Sequence, residues 1–227
     1  MAPTSAITSP KVTQASVPMR FVGPMKISAQ ASFDAAWQEK VSVPLATYEI
    51  PLWHSVGRGA RVSNLCNEGI KTTLIDERMT RSILLEAKDA HQALGAWQSI
   101  QMRQQEMQDI VGQTSRFATL FNMNMQIVAN LLYLRLEFNT GDASGHNMVT
   151  HAADSLMQWL LKQYPQLSYS SISGNYCSDK KATVVNGILG RGKYVVAELT
   201  VPRALCERKL NTTPEKVVDL NIKKNLL

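Results

Sequence analysis

At 227 residues, with 44% apolar and 19% charged side chains, the chain is long and apolar enough to bury a core, which excludes an intrinsically disordered polymer. Its formal net charge of +6 favours polyanionic ligands (nucleic acid, membrane surfaces or phosphate-rich cofactors) without choosing among them. Cys66, Cys177 and Cys206 are odd in number and lack any Cys-x-x-Cys pair, which argues against a disulfide framework or a zinc site and fits a reducing cytoplasm.

Residues 1–17 are rich in Ser, Thr, Ala and Pro and lack the apolar centre of a signal peptide, so they read as a disordered tail. No run approaches the roughly 18 apolar residues of a membrane-spanning helix, so a soluble, cytoplasmic protein is expected. From Leu45 to Arg81, Gly57, Gly59 and Gly69 punctuate short apolar clusters, which suggests loops packed on helices. Ile83 to Ala87 reads as a short strand. Lys88 to Gly112 carries helical spacing in Leu94, Trp97, Ile100, Met107 and Ile110, with Gly112 as the stop.

Two strands follow, Thr119 to Val128 and Asn130 to Phe138. In the second, Leu132, Leu134, Leu136 and Phe138 alternate with Tyr133, Arg135 and Glu137, the pattern of a strand with one buried and one solvated face. After the turn at 141–145, Met148, Ala152, Leu156 and Trp159 line one face of a helix that Pro165 ends, and Leu167 to Ile172 alternates again. The order strand, helix, strand, strand, helix, strand predicts an α+β fold with a ferredoxin-like unit at 83–171, inserted in a mainly helical larger domain formed by 18–82 and 172–227. Tyr194 to Val201 reads as a further strand, and Thr213 as the N-cap of a last helix with Pro214 at its first position.

The segment Ser173-Gly174-Asn175-Tyr176-Cys177-Ser178-Asp179-Lys180-Lys181 sets two ammonium groups beside a carboxylate directly after a strand. Such a loop can gather charge around an anion, and a lysine there can stabilise an oxyanion developing on a carbonyl. Cys177 has no neighbouring histidine and reads as packing. His146 and His151 are five apart on one helix, so they do not share a face, and no metal is expected.

This string resembles the signature loop of the 3-hydroxy-3-methylglutaryl-coenzyme A (HMG-CoA) reductases. Val43-Pro44-Leu45-Ala46-Thr47-Tyr48-Glu49, Met79-Thr80-Arg81, Ser115-Arg116-Phe117 and Asp142-Ala143-Ser144-Gly145-His146-Asn147-Met148 resemble other segments of that family, in the same order. The resemblance runs from about residue 17 to 227 and implies reduction of HMG-CoA to mevalonate and coenzyme A by two NADPH. It implies Lys180 facing the thioester oxygen and Glu49 as general acid, a role that needs a raised pKa of the kind apolar surroundings supply. Arg81, Ser173, Asp179, Lys181 and Lys224 would bind the substrate, and Ser55, Arg58, Arg61, Lys209, Leu210 and Asn211 coenzyme A. Ser115, Arg116, Phe117, Asp142, Ser144, Gly145 and Asn147 would hold NADP(H) at a helix N-terminus.

The family's Glu-Asn-x-x-Gly-Tyr segment has no counterpart before Pro18, and Ile50-Pro51 replaces the glycine that follows its glutamate. Its catalytic aspartate in Gly-Gln-Asp, its histidine and its second glycine-rich cofactor loop are expected beyond Leu227, so the chain reads as an N-terminal fragment of a dimer-forming enzyme. The competing reading is a non-catalytic subunit that binds coenzyme A or nucleotide and needs a second chain for the missing aspartate and histidine. RNA binding on the sheet is disfavoured, because Tyr133 and Phe138 fall on opposite faces of their strand.

Overall fold

The computed structural model describes residues 13–32, 35–178 and 181–226. Residues 1–12 of the expected tail lie outside these, and 13–17 are exposed without regular secondary structure. In chain order the elements are β1 (Met19–Ser32), β2 (Ala35–Ala46), α1 (Pro51–Leu65), β3 (Ile70–Glu86), α2 (Ala90–Gln101), α3 (Gln104–Thr114) and β4 (Thr119–Val128). They continue with β5 (Leu131–Asn139), α4 (His146–Gln163), β6 (Ser168–Ile172), α5 (Val184–Leu189), β7 (Gly192–Glu198), α6 (Arg203–Leu210) and α7 (Pro214–Lys224). The protein is a mixed α/β structure with one mixed sheet, and it divides into two compact units, Met1–Thr73 with Ala197–Leu227 and Leu74–Val196. No described helix is long and apolar enough to cross a membrane.

In the unit of residues 74–196, β3 pairs antiparallel with β5 and β6, and β4 pairs antiparallel with β5, giving the strand order β6-β3-β5-β4. Helices α2, α3 and α4 pack on this sheet or on one another. Ile83 and Leu85 of β3 and Leu132, Leu134, Leu136 and Phe138 of β5 join Ala93, Trp97, Ile100, Leu156 and Leu160 of the helices in one buried cluster. Fully burying each large side chain here contributes about 1.5–3 kcal/mol. Asp89 caps α2 by accepting from the Gln92 amide at 2.8 Å.

Several expectations are corrected. The single helix expected over 88–112 is two, broken at Met102 and Arg103. No glycine or proline marks the break; there the Arg103 guanidinium bonds Glu106 and lies 4.5 Å from the Trp159 ring. That cation also holds Trp159 at the rim of the core. The buried face of α4 is therefore Val149, Ala152, Ala153, Leu156, Met157 and Leu160, with Met148 and Trp159 only partly buried. The polar face expected on β5 is not solvated, since Arg135 and Glu137 are both 0% exposed.

The unit of residues 1–73 and 197–227 is not mainly helical. β1 and β2 form an antiparallel hairpin, and Ile27 to Ala29 of β1 pair parallel with Ile70 to Thr72 at the start of β3. The stretch read as loops, Leu45 to Arg81, holds helix α1 and the long strand β3. Gly69 is dictated by space as well as by φ +68°, because a Cβ there would lie 2.5 Å from the Lys26 carbonyl oxygen. The expected strand 194–201 is β7 at 192–198, while the short helices α5 and α6 carry too little periodicity to be read. Thr213 does cap α7, accepting from the Lys216 amide, with Pro214 opening the helix.

Candidate functional site

The segments read as a cofactor site are distant in sequence and meet through the sheet. Thr119, at the start of β4, pairs with Asn139, at the end of β5, so Ser115–Phe117 entering one strand and the 140–147 turn leaving the other share one end of the sheet. Ser115 Oγ accepts from the amides of Phe117 and Ala118 at 3.1 and 3.4 Å, and the exposed Arg116 guanidinium lies 4.6 Å from the Phe117 ring. Thr140 Oγ1 donates to the Ala143 carbonyl at 2.8 Å, and Asn139 Oδ1 accepts from the Gly141 amide at 2.8 Å, fixing the turn.

Gly145 sits at the N-cap of α4 with φ +77°, and a Cβ on it would fall 2.5 Å from Thr140 Cγ2. Gly145 itself offers no capping side chain to this 18-residue helix, and the positive end of the helix dipole lies at the turn, an arrangement that suits an anion. Asp142, Ser144 and Asn147 are exposed around it. A cavity of about 260 Å³ is lined by Glu77, Arg78, Met79, Thr140, Ala143, Ser144, Gly192 and Lys193. A second, of about 450 Å³, is lined by Met79, His146, Lys181 and residues of α5. Both are lined by Met79 and Gly192, so the 140–147 turn and Lys181 border adjoining space.

The signature loop is tied to β3. The Ser173 amide donates to the Ser82 carbonyl at 2.7 Å, Ser173 adopts φ +80°, and Gly174 faces the Tyr133 ring. Cys177 is fully buried, and Arg81 Nη1 lies 3.9 Å from its sulfur, so Arg81 and the loop are brought together. Asp179 and Lys180 lie outside the described residues. Lys181 is exposed; its amide donates to Ser178 O at 3.2 Å, and its carbonyl accepts from Asn186 Nδ2 at 2.9 Å.

Behind this loop lies a buried charge network that the alternating pattern concealed. Glu137 accepts from Arg135 and Arg78, and from the side-chain amides of Asn122 and Asn124 at 3.0 and 2.9 Å. Arg78 also makes a two-pronged pair with Asp76, at 2.7 and 2.9 Å, which holds the Asp76 carboxyl below its ordinary value. Burial pushes Arg135 below the ordinary guanidinium value while the Glu137 charge opposes that shift, and burial raises the phenol of Tyr176.

In the other unit, Glu49 links β2 to α1 and is exposed, so it does not sit in the apolar surroundings read from the sequence. Ile50 takes the N-cap with φ −50°, and Pro51 opens the helix, so these two residues start α1 without requiring a glycine. Ser55, Arg58 and Arg61 are exposed on α1, and Lys209 and Leu210 end α6, with Asn211 as its left-handed C-cap. Val62, Cys66 and Leu205 form a small core with Leu210 against it, so the two helices carrying the coenzyme A candidates pack together. Lys224 is exposed at the end of α7. A cavity of about 410 Å³ in this unit is lined by Cys66, Glu68, Lys71 and Glu198 among others, and by none of those candidates.

The family model described as Hydroxymethylglutaryl-coenzyme A reductase matches residues 10–227. The 3-hydroxy-3-methylglutaryl-coenzyme A reductase of Pyrococcus horikoshii is 41% identical over 212 residues, covering 93% of this chain and 50% of that protein. The corresponding protein of Aeropyrum pernix is 36% identical over 214 residues, covering 93% and 49%. A solved 3-hydroxy-3-methylglutaryl-coenzyme A reductase of Streptococcus pneumoniae superposes with a TM-score of 0.62 at 16% identity, over 90% of this chain and 50% of that one. A class II reductase structure from the same organism, bound to NADPH in open conformations, gives a TM-score of 0.57 at 16% identity over 74% and 44%; both likenesses are of fold. The chain spans about half the length of these archaeal relatives. With the match running through nearly all of its residues, the chain belongs to the hydroxymethylglutaryl-coenzyme A reductase family.

Proposed function

We propose that the chain carries the NADP(H)-binding unit and much of the substrate and coenzyme A surface of an HMG-CoA reductase, the enzyme that reduces a thioester to mevalonate with two NADPH. The observation that carries this reading is that Ser115–Phe117 and the 140–147 turn share one end of the sheet, the turn bordering two cavities of which one is also lined by Lys181. The strand order β6-β3-β5-β4 with its covering helices is ferredoxin-like, and in this reading it is the cofactor-binding domain.

The residues fit a dinucleotide phosphate: a helix N-terminus opened by a positive-φ glycine, with the Arg116 guanidinium at the same end of the sheet. NADPH, when bound, supplies the hydride. Arg116 and the first amides of α4 hold its phosphates, while Ser115, Phe117, Asp142, Ser144 and Asn147 border it. Arg81 offers a guanidinium fork to the free carboxylate of the substrate, and the family resemblance assigns Ser173, Asp179, Lys181 and Lys224 to the same ligand. Lys180 keeps an ammonium on the thioester oxygen as negative charge builds, and Glu49 delivers the proton. Arg58 and Arg61 on α1 and Lys209 on α6 supply positive charge for the phosphates of coenzyme A, with Ser55, Leu210 and Asn211 alongside.

Titration calorimetry of the purified chain with NADPH tests the cofactor site. Losing one charge-assisted contact costs about 1.5–3 kcal/mol, so Arg116→Ala should weaken NADPH roughly tenfold to a hundredfold and leave coenzyme A binding unchanged. Equal NADPH affinity in the two proteins would remove Arg116 from the site, and no NADPH binding by the unaltered chain would overturn the assignment.

A further inference from the structure

Helix α5 has only six residues and buries none of them; Val184 and Ile188 are each 76% exposed. A helix this short does not persist on its own, and its apolar docking is slight, with Val185 and Leu189 only half-buried. Polar links remain. Thr183 Oγ1 accepts from the Asn186 amide at the N-terminus, and the Gly190 amide closes the C-terminus on Asn186 O at 3.0 Å. The Gly190 carbonyl accepts from Arg135 Nη2 at 2.6 Å. Gly190 has φ +82°, and a Cβ on it would fall 2.7 Å from Asp76 Oδ2 and 3.1 Å from Arg78 Nε. The residue thus lies directly on the Asp76–Arg78 pair while Arg135 grips its carbonyl.

We propose that Arg135 is a positioning residue: oriented by Glu137 inside the sheet, it fixes Gly190 and helix α5, and through the Asn186 to Lys181 hydrogen bond it sets the backbone of Lys181. Charge placement supports this assignment. Arg135 and Glu137 are both completely buried, and Glu137 has a donor on every side, so the guanidinium is held in one orientation before it reaches Gly190. A buried pair needed only for stability is replaceable by apolar side chains of similar volume. A pair that anchors a short helix is not, because the anchor goes with it. The importance of Lys181 to substrate rests on the function proposed above; the anchoring of α5 does not.

The test is hydrogen exchange on the full chain in Arg135→Met and in the double variant Arg135→Met/Glu137→Leu, which removes both buried charges and keeps the fold accessible if the single variant is destabilised. The expected result is amide exchange at 186–190 accelerated roughly tenfold or more, the loss of one charge-assisted bond, while amides of β4 and β5 stay as protected as before. HMG-CoA affinity should fall in the same variants and NADPH affinity should hold. Unchanged exchange at 186–190, or equal acceleration across β4, β5 and α5, would overturn the proposal. If the unaltered chain binds no HMG-CoA, the proposed function fails, and the exchange result alone decides the role of Arg135.

Discussion

Single side chains in this protein are governed by what the sheet buries. Asp76 sits against Arg78, whose guanidinium holds its carboxyl below the ordinary 3.8. A carboxyl with a lowered folded-state pKa stabilises the protein fully above its unfolded value and loses that contribution as pH falls through the folded value. Stability from the Asp76–Arg78 pair is therefore present at neutral pH and lost below about pH 3.8. Urea denaturation across pH 2 to 7 should show a shallower acid loss in Asp76→Asn than in the unaltered chain, and parallel curves would mean that the pair does not contribute. Arg135 and Glu137 were legible as residues on one face of a strand but not as buried charges. Alternation reports which side chains share a face, whereas burial of that face depends on partners such as Arg78, 59 residues from Glu137.

At the scale of elements, local signals placed the cap of α7 and the 141–145 turn, whereas Gly112, read as a stop, lies inside α3, which runs on to Thr114. Asn139, Thr140, Gly141 and Gly145 form the turn that the glycine spacing marked, and α4 begins directly after it. Gly145→Ala sets a Cβ against the buried, branched side chain of Thr140 and forces an alanine to φ +77°. The combined strain should cost about 2–4 kcal/mol and weaken NADPH, read from thermal unfolding and calorimetry together; a neutral change in both would show that the turn yields freely. Periodicity placed α4 but misjudged its phase: Trp159 lies at the rim under Arg103, while Val149, Ala153 and Leu160 are buried. Both the expected and the observed faces contain Ala152 and Leu156, which sit at the centre of the stripe.

At the scale of the whole molecule, the residues proposed above fall in both units: the 142–147 turn, Arg81 and the signature loop in one, Glu49 and helices α1 and α6 in the other. The family's Gly-Gln-Asp segment does not occur in these 227 residues. Groups that act as one catalytic unit fail together, so the purified chain should bind NADPH and coenzyme A yet show no NADPH oxidation dependent on HMG-CoA. Mevalonate formation by this chain, abolished in Lys180→Ala, would refute that expectation. The sequence by itself determined the order of strands and helices in the 83–171 region apart from the break between α2 and α3, the start of α7 at Thr213, and the segments that carry the family, because caps, turns and motifs are contained in short windows. Only the tertiary structure decided that β1 and β2 pair as a hairpin and that Ser115–Phe117 and the 140–147 turn share one end of the sheet. It also decided that Arg135 and Glu137 lie buried together behind the signature loop. These features come from pairings between distant strands, where the partner fixes the environment of a side chain and the neighbours in sequence carry no record of it.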